Sequence, residues 1–473
     1  MFTICRIGQV AFLPFCNRIA LYICTINGGI KMEFLHTFVQ AHNVAISAGI
    51  LLIAYVFIAL EKIPKVTIAL FGAAITIVLG LVSQSKTLDS GLDPHYFINF
   101  VDFNVIFLLV SMMIIVSIAT RSGMFNWVAN ELLKLTKGRP VGILFALGLF
   151  TAIASAFLDN VTTVILIMPV TFFIAKKLDI NPLPYLITEI FASNIGGTAT
   201  LIGDPPNIII GSVGGLSFMD FIIELTVPVA IILASVLAVL FLFFKKDLHA
   251  SAERMAEVAN LDNSKTITDK WLMIRSSIVL GLVILGFILH DITHIETCVT
   301  AMLGASFLLF FEKPKEILED VEWNTIFFFI GLFIIIGGVE ASGGIALMAK
   351  WILNVTDGSQ NAAAMLILWA SGIISGIIDN IPYTATMAPM LAEIRNVMGA
   401  EYTLPLWWCL SLGACLGGNL TIIGAAANVI VSETSAHKGH PIGFMQFMKY
   451  GILIVFISLL FSSVYVWFKY LAN

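Results

Sequence analysis

The amino-acid sequence predicts an all-α polytopic membrane protein built from two inverted repeats, with about ten transmembrane helices and two re-entrant hairpins. Three observations carry this. Of 473 residues, 59% are hydrophobic and only 12% charged, whereas soluble domains carry about 25% charged residues. The apolar residues form runs of roughly 18 or more, the length a helix needs to cross a bilayer; the runs are continuous and do not alternate, which argues against a β-barrel. The second half of the chain also restates motifs of the first in the same order.

Taken in order, the first 31 residues are apolar but broken by Arg6, Pro14, Asn17 and Arg18, and they lack a signal-peptide layout. Met32 reads as a better start, and 1–42 is set aside as a leader. Apolar spans then fall near 43–60, 65–82, 103–120, 140–158, 161–177, 184–210 and 218–244. A polar segment, 245–271, divides the chain. Further spans follow near 272–290, 294–311, 323–340, 361–378, 381–397, 403–430 and 443–470. Two short amphipathic stretches, "FNWVANELLKLTK" at Phe125 and "IALMAKWILNVT" at Ile345, are too short and too polar to span and should lie in the interface plane.

The halves match motif by motif. "VDFNVIFLLV" at Val101 pairs with "VEWNTIFFFI" at Val321, "FLDN" with "IIDN", and "GGTATLIGDPPN" at Gly196 with "GGNLTIIGAAAN" at Gly417. A repeat of this length is a duplicated domain and not a solenoid unit. Each half makes an odd number of net crossings, so the second half must be inverted. With the short loop "EKIPK" placed inside, the outside collects only Lys86, Lys350, Arg395 and Lys469 of the basic residues beyond the leader, as the positive-inside rule requires. Inverted repeats are an architecture of secondary transporters, with the site at the midplane where the repeats meet.

The chemistry centres on Asp159-Asn160 and Asp379-Asn380, an acid and an amide twice set between apolar arms. No turn cluster follows either pair, as a loop in water would show. Each reads as the tip of a hairpin that ends inside the membrane, where an ionisable group must pair, protonate or bind an ion. The competing readings are an external loop or simple helix N-caps, a role aspartate also suits. The stretch Ala192–Ile210 contains Gly196-Gly197 and Gly203-Asp204-Pro205-Pro206 and cannot continue as a regular helix. Its freed carbonyls with Asn194, Thr198, Thr200, Asp204 and Asn207 would suit a small hard cation; a packing kink is the alternative. The matching stretch keeps Gly417, Gly418, Asn419, Thr421 and Asn428 but lacks the acid and the prolines, so the two half-sites are unequal.

Other features carry less. His290 and His294 have metal-like spacing but fall at a short external loop. Gly372 and Gly376 form a small-xxx-small pair suited to helix packing. Glu189 and Glu224 lie in apolar runs, where a proton relay is one reading. The six cysteines show no pairing pattern; Cys409 and Cys415 suit apolar packing, with a soft-metalloid site as the alternative. No motif for ATP hydrolysis, zinc proteolysis or serine hydrolysis is present, so an enzyme is not expected, nor a cofactor or a nucleic-acid partner.

"SAFLDNVTTVILIMP", "SNIGGTATLIGDPPNIII" and "DNIPYTATMAP" resemble the ion transporter superfamily. The likeness is to the branch with a citrate-transporter-like domain that holds arsenical-pump permeases, NhaD-type sodium/proton antiporters and the P protein, whose motifs these stretches match. The resemblance covers Ala45 to the C-terminus. It implies a homodimer of elevator type. Scaffold regions would be 43–136 and 272–357, each ending in an interfacial arm helix, and transport regions 137–244 and 358–473, each with a hairpin and a broken helix. It implies that Asp159, Asn160, Thr162 and Thr163 belong to the inward-side hairpin, with Asn194, Gly196, Thr198 and Thr200 in its partner break. Asp379, Asn380 and Thr384 would belong to the outward-side hairpin, opposite Asn419 and Thr421. Sodium would sit at Asp159, Asn160, Asn194 and Thr198.

The dicarboxylate branch has Ser-Asn-Thr at both tips. This chain departs from that with Asp-Asn-Val-Thr and Asp-Asn-Ile-Pro, which disfavours a dianion and favours Na⁺ or H⁺. The expectation is a secondary transporter of a small inorganic ion coupled to Na⁺ or H⁺, antiporter-like, in the cell (inner) membrane. Arsenite or antimonite efflux, with or without a pump ATPase partner, and a passive channel or uniporter stand as alternatives, with a citrate or dicarboxylate symporter below them.

Overall fold

The computed structural model describes residues 37–82, 96–259 and 267–472. The leader before Thr37, with Arg6, Arg18 and Met32, and Lys86 lie outside the described residues. Among the described residues the secondary structure is helical, and nine helices are long and apolar enough to cross a membrane. The protein is an integral, multi-pass membrane protein.

The first half runs α1 (Asn43–Leu60), α2 (Lys65–Val78), α3 (Phe103–Arg121), α4 (Met124–Leu135), α5 (Pro140–Phe157), α6 (Asn160–Leu178), α7 (Leu183–Gly197), α8 (Pro205–Gly214) and α9 (Phe218–Phe244). A short linker helix, α10 (Ala252–Ala259), follows. The second half repeats the series as α11 (Lys270–Ile288), α12 (Thr297–Leu309), α13 (Trp323–Ala341), α14 (Gly344–Val355), α15 (Gln360–Ile378), α16 (Asn380–Met398), α17 (Ala400–Gly417), α18 (Ala426–His437) and α19 (Phe444–Val466). Each helix of the first half thus has its counterpart ten labels later.

The duplication reaches individual hydrogen bonds. Ser155 Oγ donates to Ser193 O at 2.8 Å, and Ser375 Oγ to Ala414 O at 2.9 Å. Thr200 Oγ1 donates to Ala156 O, as Thr421 Oγ1 does to Gly376 O. The amphipathic α4 and α14 both begin after a glycine at positive φ, Gly123 at 83° and Gly343 at 86°, a conformation without steric penalty only for glycine.

The apolar stretches at 184–210 and 403–430 each divide into two helices, α7 with α8 and α17 with α18, the broken helices expected there. The reason is local. Gly196-Gly197 weakens the end of α7, and Pro205 and Pro206 fit only the first turn of a new helix. The segment between them, 198–204, is non-helical yet buried. Counting each broken pair as one span gives ten spans and two hairpins, α5–α6 and α15–α16.

Helices α7 and α17 are buried along nearly their whole length, whereas α1, α11 and α12 expose Leu52, Val56, Trp271, Leu282, Leu303 and Phe307. The former form the centre of the chain and the latter its apolar periphery. Close approach between hairpin arm and broken helix explains the conserved geometry of the two halves. A Cβ on Gly196 would stand 2.1 Å from Ala152 O, and one on Gly417 2.6 Å from Gly372 O. Gly372 and Gly376 serve this packing, as their spacing predicts.

Candidate functional site

Each hairpin tip is made by an aspartate that ends one helix and caps the next. Asp159 Oδ1 accepts from Thr162 N at 2.9 Å, and its other oxygen accepts from Thr162 Oγ1. Asp379 Oδ1 accepts from Ile381 N at 3.0 Å. Both satisfy an otherwise orphaned N–H at a helix start. The tips differ in backbone: Asp159 is extended at φ −69°, but Asp379 is held at φ 114°, a region that L side chains enter only under constraint.

The two tips and the two breaks converge on a buried polar network. Its centre is Asp204, fully buried at the start of α8. Asn160 Nδ2 donates to Asp204 Oδ1 at 3.2 Å, and Asn380 Nδ2 lies 3.3 and 3.2 Å from its two oxygens. Asn194 ties in the rest. Its oxygen accepts from Asn160 Nδ2 at 3.3 Å, and its amide donates to Asn419 Oδ1 at 2.9 Å and Asn428 Oδ1 at 2.8 Å. Residues from 160 to 428 therefore meet at one point, and a single carboxylate bridges both hairpins. Its counterpart in the second half is Ala425, an apolar residue.

The remaining sequence-predicted residues fall into two groups. Asn207 and Asn428 serve the breaks themselves. Asn207 Nδ2 donates to Thr198 O and Thr200 O at 3.1 and 2.9 Å, and Asn428 Nδ2 to Gly418 O and Thr421 O at 2.8 and 2.9 Å. Several of the carbonyls freed by the breaks are thus already satisfied from within the protein. Thr198 Oγ1 back-bonds to Asn194 O at 2.8 Å, and Gly196 lies against α5. By contrast Thr163 Oγ1, Thr384 Oγ1 and Asn419 Nδ2 are buried without a partner among the described residues. The two threonines lie in the first turns of the second arms of their hairpins, one position out of register with each other.

A cavity of about 280 Å³ opens beside the network. Asp159, Asn160, Asp204, Asp379 and Asn380 line it from the tips, with Lys65, Glu322, Asn324 and Thr325 across from them. Its floor is buried, while Pro64 and Asn324 at its other end are exposed. Four carboxylates and one ammonium among the lining residues make it strongly negative. A second cavity, of about 650 Å³, lies toward the other end of α13, lined by Asp102, Phe333, Ile336, Glu340, Ala385 and Glu393 among others. Between the two, α13 contributes buried Phe328, Phe329 and Leu332.

Sequence reasoning did not single out Lys65, Glu322 or Asn324. Lys65 Nζ pairs with Asp379 Oδ2 at 2.5 Å, although "EKIPK" reads as an ordinary charged turn. Glu322 and Asn324 belong to the repeated "VEWN" motif, and that repetition was the available signal. Of the acids in apolar runs, Glu224 bonds to Lys469, Tyr465 and Tyr470, an ordinary structural cluster. Glu189 is fully buried, accepts from Thr171 Oγ1, and has one oxygen without a partner; it lies away from the cavity lining. His290 is half-buried and its Nδ1 bonds to Ile295 O at 2.8 Å. Cys409 and Cys415 are buried outside the cavity lining, and Cys415 Sγ is 3.5 Å from Asn207 Oδ1.

Comparison with known proteins agrees with this architecture. The family profile described as "Citrate transporter" matches residues 55–413. An uncharacterized transporter of Mycobacterium bovis is 42% identical over 431 residues, covering 90% of this chain and 98% of that protein. The P protein of Mus musculus is 31% identical over 509 residues, covering 90% of this chain and 60% of that longer protein. The crystal structure of the Alcanivorax borkumensis YdaH transporter superposes with a TM-score of 0.53 at 12% identity, covering 90% of this chain and 98% of that one, a likeness of fold.

Proposed function

The chain belongs to the citrate transporter family and is a membrane transporter; from that premise we propose that it is a secondary active ion transporter coupled to Na⁺ or H⁺, antiporter-like, in the cell membrane. The observation that carries this reading is the meeting of both hairpin tips on Asp204 beside a cavity with four acids and one base. Carboxylates at such depth are stabilised by a bound cation or a proton, so occupancy is linked to cation concentration on the side the cavity faces. A bare tricarboxylate would meet net negative charge, which ranks citrate below an inorganic ion despite the family's description. Arsenite efflux is the weaker alternative, because the buried thiols of Cys409 and Cys415 do not line the cavity. A passive channel requires a continuous path, whereas α13 places Phe328, Phe329 and Leu332 between the two cavities.

The elevator reading follows the same division. The hairpins and broken helices would move together as transport region against a scaffold of α1–α3 and α11–α13, carrying the site from one cavity to the other. Full-length protein in proteoliposomes with a trapped pH dye tests the coupling. Addition of Na⁺, but not choline, should collapse an imposed pH gradient. Asp159→Asn and Asp379→Asn should reach the membrane and lose most of that response. Wild-type sodium and pH dependence in both variants would place the site elsewhere.

A further inference from the structure

Lys65 stands where local physics disfavours it. It is the first residue of α2, after Pro64 as N-cap, and a helix N-terminus carries partial positive charge that repels an ammonium. Its head group nevertheless reaches Asp379 Oδ2 at 2.5 Å, with 25% of the lysine side chain exposed and 2% of the aspartate's. The other charged groups lining the cavity are acids, Glu322 at the head of α13 with Asp159 and Asp204 across the cavity; Glu61 and the exposed Lys62 share its turn, and Glu433 lies beyond Glu61. Among the described residues, Lys65 is the one cation lining that cavity.

The α1–α2 pair grips the hairpin a second time. Tyr55, at the buried face of α1, donates its hydroxyl to Pro382 O at 2.5 Å and contacts Thr386 Oγ1. Helices α1 and α2 therefore hold the first turns of α16 at two points, Tyr55 from α1 and Lys65 from α2. It is this tip, and not the one at Asp159, that has the strained backbone. Among the described residues no lysine or arginine pairs with the Asp159 tip; its carboxylate accepts from Thr162. Strained backbone persists only where surrounding contacts hold it, and here the contacts are an ion pair and a tyrosine clamp from α1–α2.

We propose that Lys65 is a tethered cation that occupies Asp379 in this conformation, so that a dissolved monovalent cation must displace it to use Asp379 and thereby frees the tip of α16 from the α1–α2 turn. This rests on the cation-coupled reading above and gives it a link between binding and movement: the group displaced from the site belongs to the scaffold, and the group that takes up the cation belongs to the moving hairpin. A chain in which the lysine is absent would bind the cation more readily and lose the linkage.

The test uses purified full-length protein and its unfolding midpoint, which needs no knowledge of the cargo. The midpoint is titrated with NaCl against choline chloride at constant ionic strength, and with pH in sodium-free buffer. Lys65→Met removes the competing charge. The half-saturating Na⁺ should fall at least tenfold, or the midpoint of a proton response should rise by at least one pH unit, since a neighbouring cation is what favours the ionised carboxylate. Lys65→Arg should stay within threefold of wild type. If Lys65→Met does not survive purification, the double variant Lys65→Met with Asp379→Asn decides: recovery supports the pair and failure overturns it. An unchanged cation response in Lys65→Met, alongside a lost response in Asp204→Asn, refutes the role of Lys65 alone. A wild-type protein that answers to neither Na⁺ nor pH refutes the cation-coupled reading and this inference with it.

Discussion

The bridge at Asp204 makes a quantitative prediction because its two donors are not equally dependent on it. Asn380 Nδ2 finds its acceptors only in the two oxygens of Asp204, at 3.3 and 3.2 Å. Asn160 Nδ2 has Asp204 at 3.2 Å and also Asn194 Oδ1 at 3.3 Å. Hydrogen bonds to a charged acceptor contribute about 1.5–3 kcal/mol when short. These are long, which places each near the lower end of that range. Removing the acceptor with Asp204→Ala leaves the Asn380 amide unpaired, while Asn160 turns to Asn194. In double-mutant cycles, the coupling of Asp204→Ala with Asn380→Ala should then be about 1.5 kcal/mol, and that with Asn160→Ala roughly half as large. Equilibrium unfolding in mixed micelles at fixed sodium and pH measures both. Equal couplings, or a coupling with Asn380 below about 0.3 kcal/mol, would show that Asp204 does not bridge the hairpins.

Two further outcomes follow from packing and topology. Gly196→Ala would set a methyl group 2.1 Å from Ala152 O and 2.5 Å from Ala152 Cα; because these are backbone atoms, destabilisation should reach the upper end of about 1–3 kcal/mol. Gly49→Ala, with nothing within 4 Å, should be neutral in the same thermal assay; a Gly196→Ala protein as stable as Gly49→Ala would contradict the packing. For topology, Ser251→Cys should react with an impermeant maleimide only from the cytoplasm and Lys350→Cys only from outside, and labelling of both from one side would end the inverted arrangement.

Much of this architecture was readable from the sequence, for identifiable reasons. The duplicated Asp-Asn pairs marked the hairpin tips because local rules suffice there: an aspartate after one apolar arm caps the next. The glycine and proline clusters marked the breaks because no other backbone satisfies them. What the sequence concealed depends on contacts between distant segments. Asp204 looked like the lesser acid, since the asparagines that make it central lie 44 and 176 residues away. Lys65 looked like a solvated loop charge, since its partner is 314 residues distant. Asn207 and Asn428 were read as cation ligands beside freed carbonyls, but buried carbonyls must be satisfied, and these amides are what satisfies several of them.

The exchange of Asp204 for Ala425 between otherwise matching halves has a kinetic consequence. A transporter made of two identical inverted halves would present the same site to both faces of the membrane, and its forward and reverse rates at equal gradients would mirror one another. Here the one shared acid is contributed by the half whose hairpin carries Asp159, while the lysine pair engages only the hairpin that carries Asp379. Under the elevator cycle proposed above, the two end states would be chemically different objects, with different barriers to leaving them. The expected outcome is rectification: gradients of equal size and opposite sign would drive transport at unequal speeds, because neither the acid at Asp204 nor the Lys65 pair is present in both halves.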